Sequence, residues 1–272
     1  MIRLGLVGYP LEHSLSPALH QAALQAASLQ GEYKLHPVRP GDVAALRHLV
    51  NRIRAGDITG LNVTIPHKQA IVPLLDELTP AAKAIGAVNT IYLKDGKTVG
   101  DNTDFAGFLA DLLRWMPIPR TALVLGAGGA ARAVTYALET MGCQVRVAAR
   151  RARAASELCG HFANATAIEL YAETLQGANA DLLVNGTSAG MYPDIGTCAW
   201  PEGLRLPPAG GVHDLVYNPP ETRLLKLARA EGLRATNGLG MLIEQASLSF
   251  DLWTGYRPSR DCLMDAIGQV TG

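Results

Sequence analysis

Leu123-Val124-Leu125-Gly126-Ala127-Gly128-Gly129-Ala130-Ala131 decides how this chain is read, because a short apolar segment runs into a glycine turn and then into residues of helical spacing. The order strand, tight turn, helix is that of a dinucleotide-binding unit. Gly126 permits the turn, Gly128 lets the backbone approach a pyrophosphate, and Ala131 stands where a third small residue packs helix on strand. Gly129 and Ala130 then open a helix whose free N–H groups and dipole favour phosphate. The same residues also suit a helix packed closely on a strand with no ligand, so the motif needs support from elsewhere. About 120 residues precede it, so the nucleotide unit is expected to be the second of two.

The next strand, residues 144–149, supplies that support. Its end reads Ala148-Ala149-Arg150-Arg151-Ala152-Arg153, and no Asp or Glu occurs between residues 140 and 156. An acidic residue at this place suits a ribose 2′-hydroxyl, whereas arginine suits a 2′-phosphate. Three arginines at a helix start oppose the dipole unless an anion lies there. Arg150, Arg151 and Arg153 therefore point to NADP rather than NAD.

Composition narrows the partners. The 272 residues are 48% hydrophobic and 18% charged, enough for a full core and two domains. Twenty-four basic residues balance twenty-four acidic ones, so no global charge recruits nucleic acid or an anionic membrane, and the expected partner is a small molecule. Cys143, Cys159, Cys198 and Cys262 are far apart in sequence and lack metal-ligand spacing, so no metal is expected. The opening apolar stretch is too short for a secretory segment, and no apolar run reaches membrane-spanning length. The expectation is a cytoplasmic protein, monomer or homodimer.

Upstream of residue 121, strands are expected at 2–8, 33–38, 58–63 and 87–93, and helices at 16–29, 42–54, 67–75 and 103–115. This forms a second α/β unit, and the Met116-Pro117-Ile118-Pro119 stretch reads as a linker. The expected architecture is α/β: an N-terminal substrate domain (1–103) and a Rossmann-type NADP domain (104–236, linker near 116–120), separated by a cleft. Two C-terminal helices (237–272) return to the first domain.

Three loops of the first unit collect polar residues. One carries Ser14, Ser16 and Pro17, where Ser16 suits a helix cap as well as a polyol ligand. The second is Asn62-Val63-Thr64-Ile65-Pro66-His67-Lys68, and the third Gly100-Asp101-Asn102-Thr103-Asp104. A lysine held by an aspartate can move an alcohol proton while hydride goes to a nicotinamide, which makes Lys68 and Asp104 a candidate acid–base pair.

With these loops, Gly86-Ala87-Val88-Asn89-Thr90, the run Asn185-Gly186-Thr187-Ser188-Ala189-Gly190-Met191, and the segments 214–219 and 237–246, the chain resembles the shikimate/quinate dehydrogenase family throughout its length. The resemblance implies NADPH-dependent reversible reduction of 3-dehydroshikimate to shikimate on the way to chorismate and the aromatic amino acids. It implies that Lys68 and Asp104 are the catalytic pair. Ser14, Ser16, Thr64, Asn89, Tyr217 and Gln245 would join them in holding the substrate. Around NADP it places Gly126, Ala127, Gly128, Gly129, Ala130, the arginine loop, Thr187, Ser188, Leu215, Gly238 and Met241.

The sequence departs from the family pattern in two places. Ala149-Arg150-Arg151 replaces the usual Asn-Arg-Thr, and Gly186 stands where alanine is usual. A quinate or aminoshikimate dehydrogenase would share nearly every motif, and a non-catalytic NADP or metabolite sensor would share the fold.

Overall fold

The computed structural model describes residues 1–208 and 210–271; Gly272, the last residue of the expected C-terminal segment, lies outside the described residues, as does Ala209. The chain divides into two compact units, Met1–Gly107 with Ile243–Gly272, and Phe108–Leu242. The first unit contains β1 (Ile2–Gly8), α1 (Ser16–Ala26), β2 (Gly31–Pro37), α2 (Val43–Arg54), β3 (Gly60–Val63), β4 (Glu77–Leu78), α3 (Pro80–Ile85), β5 (Thr90–Lys94), β6 (Lys97–Asp101) and the start of α4 (Asp104–Leu112). Its sheet runs β2-β1-β3-β5-β6-β4. Strands β1, β2 and β3 are parallel, while β5 is antiparallel to both β3 and β6. The chain order reverses direction at β1, so the loops after β1 and β3 leave the sheet side by side. That is where open α/β sheets bind ligands.

Local chemistry accounts for the elements. Asp42 caps α2 by accepting the Ala45 N–H at 2.9 Å. Leu46, Leu49, Val50 and Ile53 then recur at helical spacing and are buried against β3 and β5 residues such as Leu61 and Ile91. Asp95 and Gly96, with φ of 51° and 77°, form the two-residue turn joining β5 to β6, where Lys94 pairs with Lys97.

The second unit contains β7 (Thr121–Leu125), α5 (Gly129–Thr140), β8 (Gln144–Ala148), α6 (Ala152–Cys159), β9 (Ala165–Ile168), α7 (Ala172–Gln176), β10 (Leu182–Asn185), β11 (Gly211–Asp214), α8 (Arg223–Ala230) and β12 (Ala235–Asn237). Its six parallel strands run β12-β11-β10-β7-β8-β9, the doubly wound order with the reversal between β7 and β10. Such strands are covered on both faces, and all four residues of β10 are buried accordingly. The chain ends in α9 (Leu239–Thr254) and α10 (Arg260–Thr271), and α10 packs on α1 in the first unit. Among the described residues no helix is long and apolar enough to cross a membrane.

Several expected elements differ. The helix expected at 67–75 is only a 3-10 turn, Val72–Leu74. His67 is buried, with Nε2 2.7 Å from the Val38 carbonyl oxygen and its own carbonyl accepting the Ile71 N–H at 3.0 Å, but Pro73 has no N–H to continue that turn into a helix. The strand expected at 87–93 begins at Thr90 and turns back as the β5–β6 hairpin, and β4, β6 and α3 had no counterpart in the sequence reading. Helix α1 stops at Ala26, three residues before the expected end.

Two buried histidines make stability depend on pH. His20 stacks on Tyr33 at 4.4 Å in the first unit, and burial lowers its pKa to about 3. His213 stacks on Phe108 at 5.2 Å in the second, and burial lowers its pKa to about 4. The unfolded chain takes up these protons near pH 6.5 and the folded chain does not, so the stability of the neutral rings is complete above that value and drains as pH falls through the window. Urea unfolding at pH 7 and pH 4.5 is expected to show a smaller acid loss in His20→Phe and His213→Phe than in the parent. Equal losses would refute the assignment.

Candidate active site

The loop after β3 and the turn before α4 bring Lys68 and Asp104 together. Lys68 Nζ donates to Asp104 Oδ2 at 2.5 Å, with only 14% and 5% of the two side chains exposed. The Lys68 carbonyl is fixed by the Val88 N–H at 2.8 Å, and the neighbouring His67 is tethered as described. Asp104 is the first residue of α4, where the helix dipole favours a carboxylate, and its N–H donates to Asn102 Oδ1 at 3.1 Å.

Asn89 holds the other carboxylate oxygen. Its Nδ2 donates to Asp104 Oδ1 at 2.9 Å and to Gln245 Oε1 at 3.2 Å. Its Oδ1 accepts the Thr103 backbone N–H at 2.7 Å, a group that can only donate, so the amide has one permitted orientation. Gln245 reaches this cluster because α9 lies against the sheet through Gln245, Ser249 and Trp253, spaced four apart. Trp253 Nε1 donates to the Ile91 carbonyl at 3.0 Å, and Gly60 lacks the Cβ that would strike the indole.

The remaining expected substrate residues divide between the units. Ser14, Ser16 and Thr64 lie on the loops after β1 and β3. These loops meet where Tyr9 N–H donates to the Ile65 carbonyl at 2.9 Å. Ser16 does not cap α1: Leu15 occupies the cap position without a side-chain bond, and Ser16 N–H donates to Ser14 Oγ at 3.3 Å. The cap reading of Ser16 is thus corrected. Tyr217, half-buried, lies in the second unit.

In the second unit the glycine turn has the shape the sequence suggested. Gly126 has φ +106°, and a Cβ there would lie 2.9 Å from Thr187 Cγ2. At Gly128 a Cβ would meet nothing within 4 Å, which leaves the backbone open to an approaching group. Gly128 is also the N-cap of α5 and has no side chain of its own to bond the first-turn N–H groups. Ala127, Gly129 and Ala130 complete the turn and the first helical positions. These features fit a dinucleotide pyrophosphate.

Thr187 and Ser188 follow β10. Thr187 N–H and Oγ1 both donate to Asn185 Oδ1, at 3.0 and 2.7 Å, and Asn185 Nδ2 donates to Asp214 Oδ1 at 2.8 Å. Asp214 also accepts the Thr222 hydroxyl at 2.6 Å and the Val216 N–H at 3.1 Å, while burial raises its carboxyl pKa above the ordinary range. Leu215 is half-buried, Met241 is buried on α9, and a Cβ on Gly238 would strike the Leu215 carbonyl.

The arginines differ from one another. Arg150 and Arg151 are exposed ahead of α6, with Arg151 at its N-cap, whereas Arg153 Nε donates to Glu157 at 2.7 Å. Glu157 lies just beyond the acid-free window read from sequence. Thr90, Thr103 and Ser249, buried beside Asn89, were absent from the sequence-based site; nothing in a strand or helix pattern marks a hydroxyl as part of a cluster.

Comparison with known proteins yields a consistent set. The family profile described as "Shikimate dehydrogenase substrate binding domain" matches residues 6–91, and that described as "Shikimate 5'-dehydrogenase C-terminal domain" matches residues 238–267. A Shouchella clausii protein named shikimate dehydrogenase (NADP(+)) is 43% identical over 266 residues, 95% of each chain. A Moorella thermoacetica protein of the same name is 43% identical over 273 residues, 96% of this chain and 90% of the relative. The crystal structure of the Thermus thermophilus shikimate 5-dehydrogenase, in complex with NADP(H) and shikimate, is 39% identical. It covers 99% of both chains with a TM-score of 0.88.

Gly186 is explained by its neighbour. A Cβ at Gly186 would lie 3.0 Å from Ala131 Cβ, 3.1 Å from Ala131 Cα and 3.2 Å from the Leu125 carbonyl oxygen; the last two are backbone atoms, so the close approach of α5 and β7 to the end of β10 favours glycine at 186. Gly186→Ala is expected to cost about 1–2 kcal/mol by overpacking. Ala131→Gly leaves the Cα and carbonyl contacts in place, so only a minor part of the loss should return in the double variant. Full recovery in thermal unfolding would show that the Ala131 methyl alone excludes a side chain at 186.

Proposed function

The chain belongs to the shikimate dehydrogenase family, and from that premise we propose that Lys68 and Asp104 carry the proton chemistry of its reaction. The protein is an NADP-dependent oxidoreductase that interconverts 3-dehydroshikimate and shikimate, a step toward chorismate and the aromatic amino acids. The observation that carries the catalytic assignment is the 2.5 Å contact between Lys68 Nζ and Asp104 Oδ2, in a setting where the other Asp104 oxygen is already held by Asn89.

Bound NADPH supplies the hydride that reduces the ketone. Lys68 Nζ, as ammonium, gives its proton to the substrate oxygen as negative charge grows there, and in the oxidative direction neutral Nζ takes the alcohol proton. Asp104 holds Lys68 in place and accepts a bond from a neighbouring ring hydroxyl. Asn89 and Gln245 offer amide groups to the substrate hydroxyls, while Ser14, Ser16 and Thr64 offer hydroxyls to its carboxylate.

For the cofactor, the Gly126–Ala130 turn and the start of α5 bind the pyrophosphate through backbone N–H groups. Arg150 and Arg151 are assigned to the 2′-phosphate; their exposure and lack of nearby acids support this. Arg153 acts more weakly, since Glu157 already neutralises it. Thr187, Ser188, Leu215, Gly238 and Met241 complete the surroundings of the dinucleotide. Free rather than bridged cysteines support a reducing compartment, and we place the enzyme in the cytoplasm.

Nicotinamide absorbance followed with shikimate or quinate, each with NADP or NAD, tests the reading. Fast reduction is expected with shikimate and NADP, and faster turnover with quinate or with NAD would contradict it. Lys68→Ala is expected to lower kcat by about 10²–10⁴-fold with a much smaller rise in KM for shikimate. A loss expressed in KM alone would reduce Lys68 to a binding residue.

A further inference from the structure

Behind Asn89 three hydroxyls of buried residues converge. Thr90 Oγ1 and Ser249 Oγ are 2.7 Å apart, Thr103 Oγ1 lies 3.1 Å from Ser249 Oγ, and Thr90 and Ser249 are fully buried. Thr90 donates to Asn89 Oδ1 at 3.0 Å, and Thr103 Oγ1 accepts from Asn89 Nδ2 at 2.9 Å. The cluster thus touches both ends of the amide that holds Asp104.

The cluster is itself oriented from the far side. Tyr33 Oη donates to Asn62 Oδ1 at 2.8 Å, which turns Asn62 Nδ2 toward Ser249 Oγ at 3.0 Å and Thr90 Oγ1 at 3.3 Å. An amide whose oxygen is claimed by a phenol can only donate to the hydroxyls. Ser249 also bonds the Gln245 carbonyl at 3.0 Å, and Thr103 Oγ1 donates to the same carbonyl at 3.2 Å. One set of hydroxyls therefore joins β3, β5, the α4 turn and α9, the four pieces that carry Asn62, Asn89, Asp104 and Gln245.

We propose that Thr90, Thr103 and Ser249 are positioning residues for the reaction: their hydroxyls fix the Asn89 amide and, through it, the direction in which Asp104 presents Lys68. None of the three touches Lys68 or Asp104 through its own hydroxyl in the bonds above, so the effect passes through Asn89. A buried hydroxyl cluster also contributes stability, since each group left unpartnered costs free energy. The two roles are separable. Catalysis tolerates only small misplacement of a proton donor, whereas stability responds to any lost volume or bond.

This proposal rests on the assignment of Lys68 and Asp104 above. The test compares Thr90→Val, which keeps the shape and removes the hydroxyl, with Thr90→Ser, which keeps the hydroxyl and removes a methyl. Both variants are expected to unfold at lower temperature than the parent. Thr90→Val is expected to lose about tenfold in kcat for shikimate oxidation with KM for NADP unchanged, and Thr90→Ser to stay within about twofold of the parent. Activity loss that follows the fall in melting temperature in both variants, or parental kcat in Thr90→Val, would overturn the positioning role while the parent remains active. A parent that turns over no shikimate would overturn the functional assignment and the positioning role with it.

Discussion

Taking a lysine and an aspartate out of water together is the constraint on which the first unit is organised. Each ion loses several kcal/mol of hydration on burial, and the attraction between them offsets this only if the geometry is good and further hydrogen bonds support the pair. At Asp104 Lys68 holds one oxygen and Asn89 the other, with the dipole of α4 favouring the charge, and each oxygen keeps a lone pair for a further donor. The partners are 36 residues apart in sequence, so the pairing cannot be local. It follows from a mixed sheet in which β3 delivers Lys68 and the β5–β6 hairpin delivers Asn89 and the turn into α4.

The second unit meets a similar requirement with different residues. Its buried hub is Asp214, which gathers Asn185, Thr222 and the Val216 N–H at the ends of β10 and β11. Asn185 passes that constraint to Thr187. In each unit a carboxamide at a strand end lies between a buried carboxylate and the loop expected to meet a ligand. A carboxamide suits this place because it donates at one end and accepts at the other, so a single fixed neighbour sets both.

Much of this was legible in the sequence because it is punctuated. The glycine turn after Leu125, the Asp42 cap and the period of α2 each specify their element from a few adjacent residues. The loops carrying Lys68, Asn89 and Asp104 were legible as polar insertions between apolar strands. Part of the difference is local: Pro73 offers no N–H to the Gln69 carbonyl and keeps 67–75 to short turns, and the Asp95-Gly96 turn lies just past residues that alone make a plausible strand. The rest depends on contacts distant in sequence. Ser249 looks like any small residue on an amphipathic helix until α9 is laid across β3 and β5.

The departures from the family pattern show that a motif is a sum of volumes and charges rather than a string of letters. Between β7, α5 and the end of β10 the backbones approach so closely that a Cβ at 186 would meet the Ala131 Cα and the Leu125 carbonyl, and here glycine fills the position. The arginine loop follows the same logic in charge. The usual asparagine and threonine flanking the position of Arg150 are absent, and two further arginines enter the same few residues. One of these, Arg153, is paired with Glu157 and so adds little net field, which leaves Arg150 and Arg151 as the concentrated positive charge ahead of α6. A 2′-phosphate at that place would relieve the repulsion between two cations and the dipole of a helix start, an energetic argument that holds although the flanking letters differ.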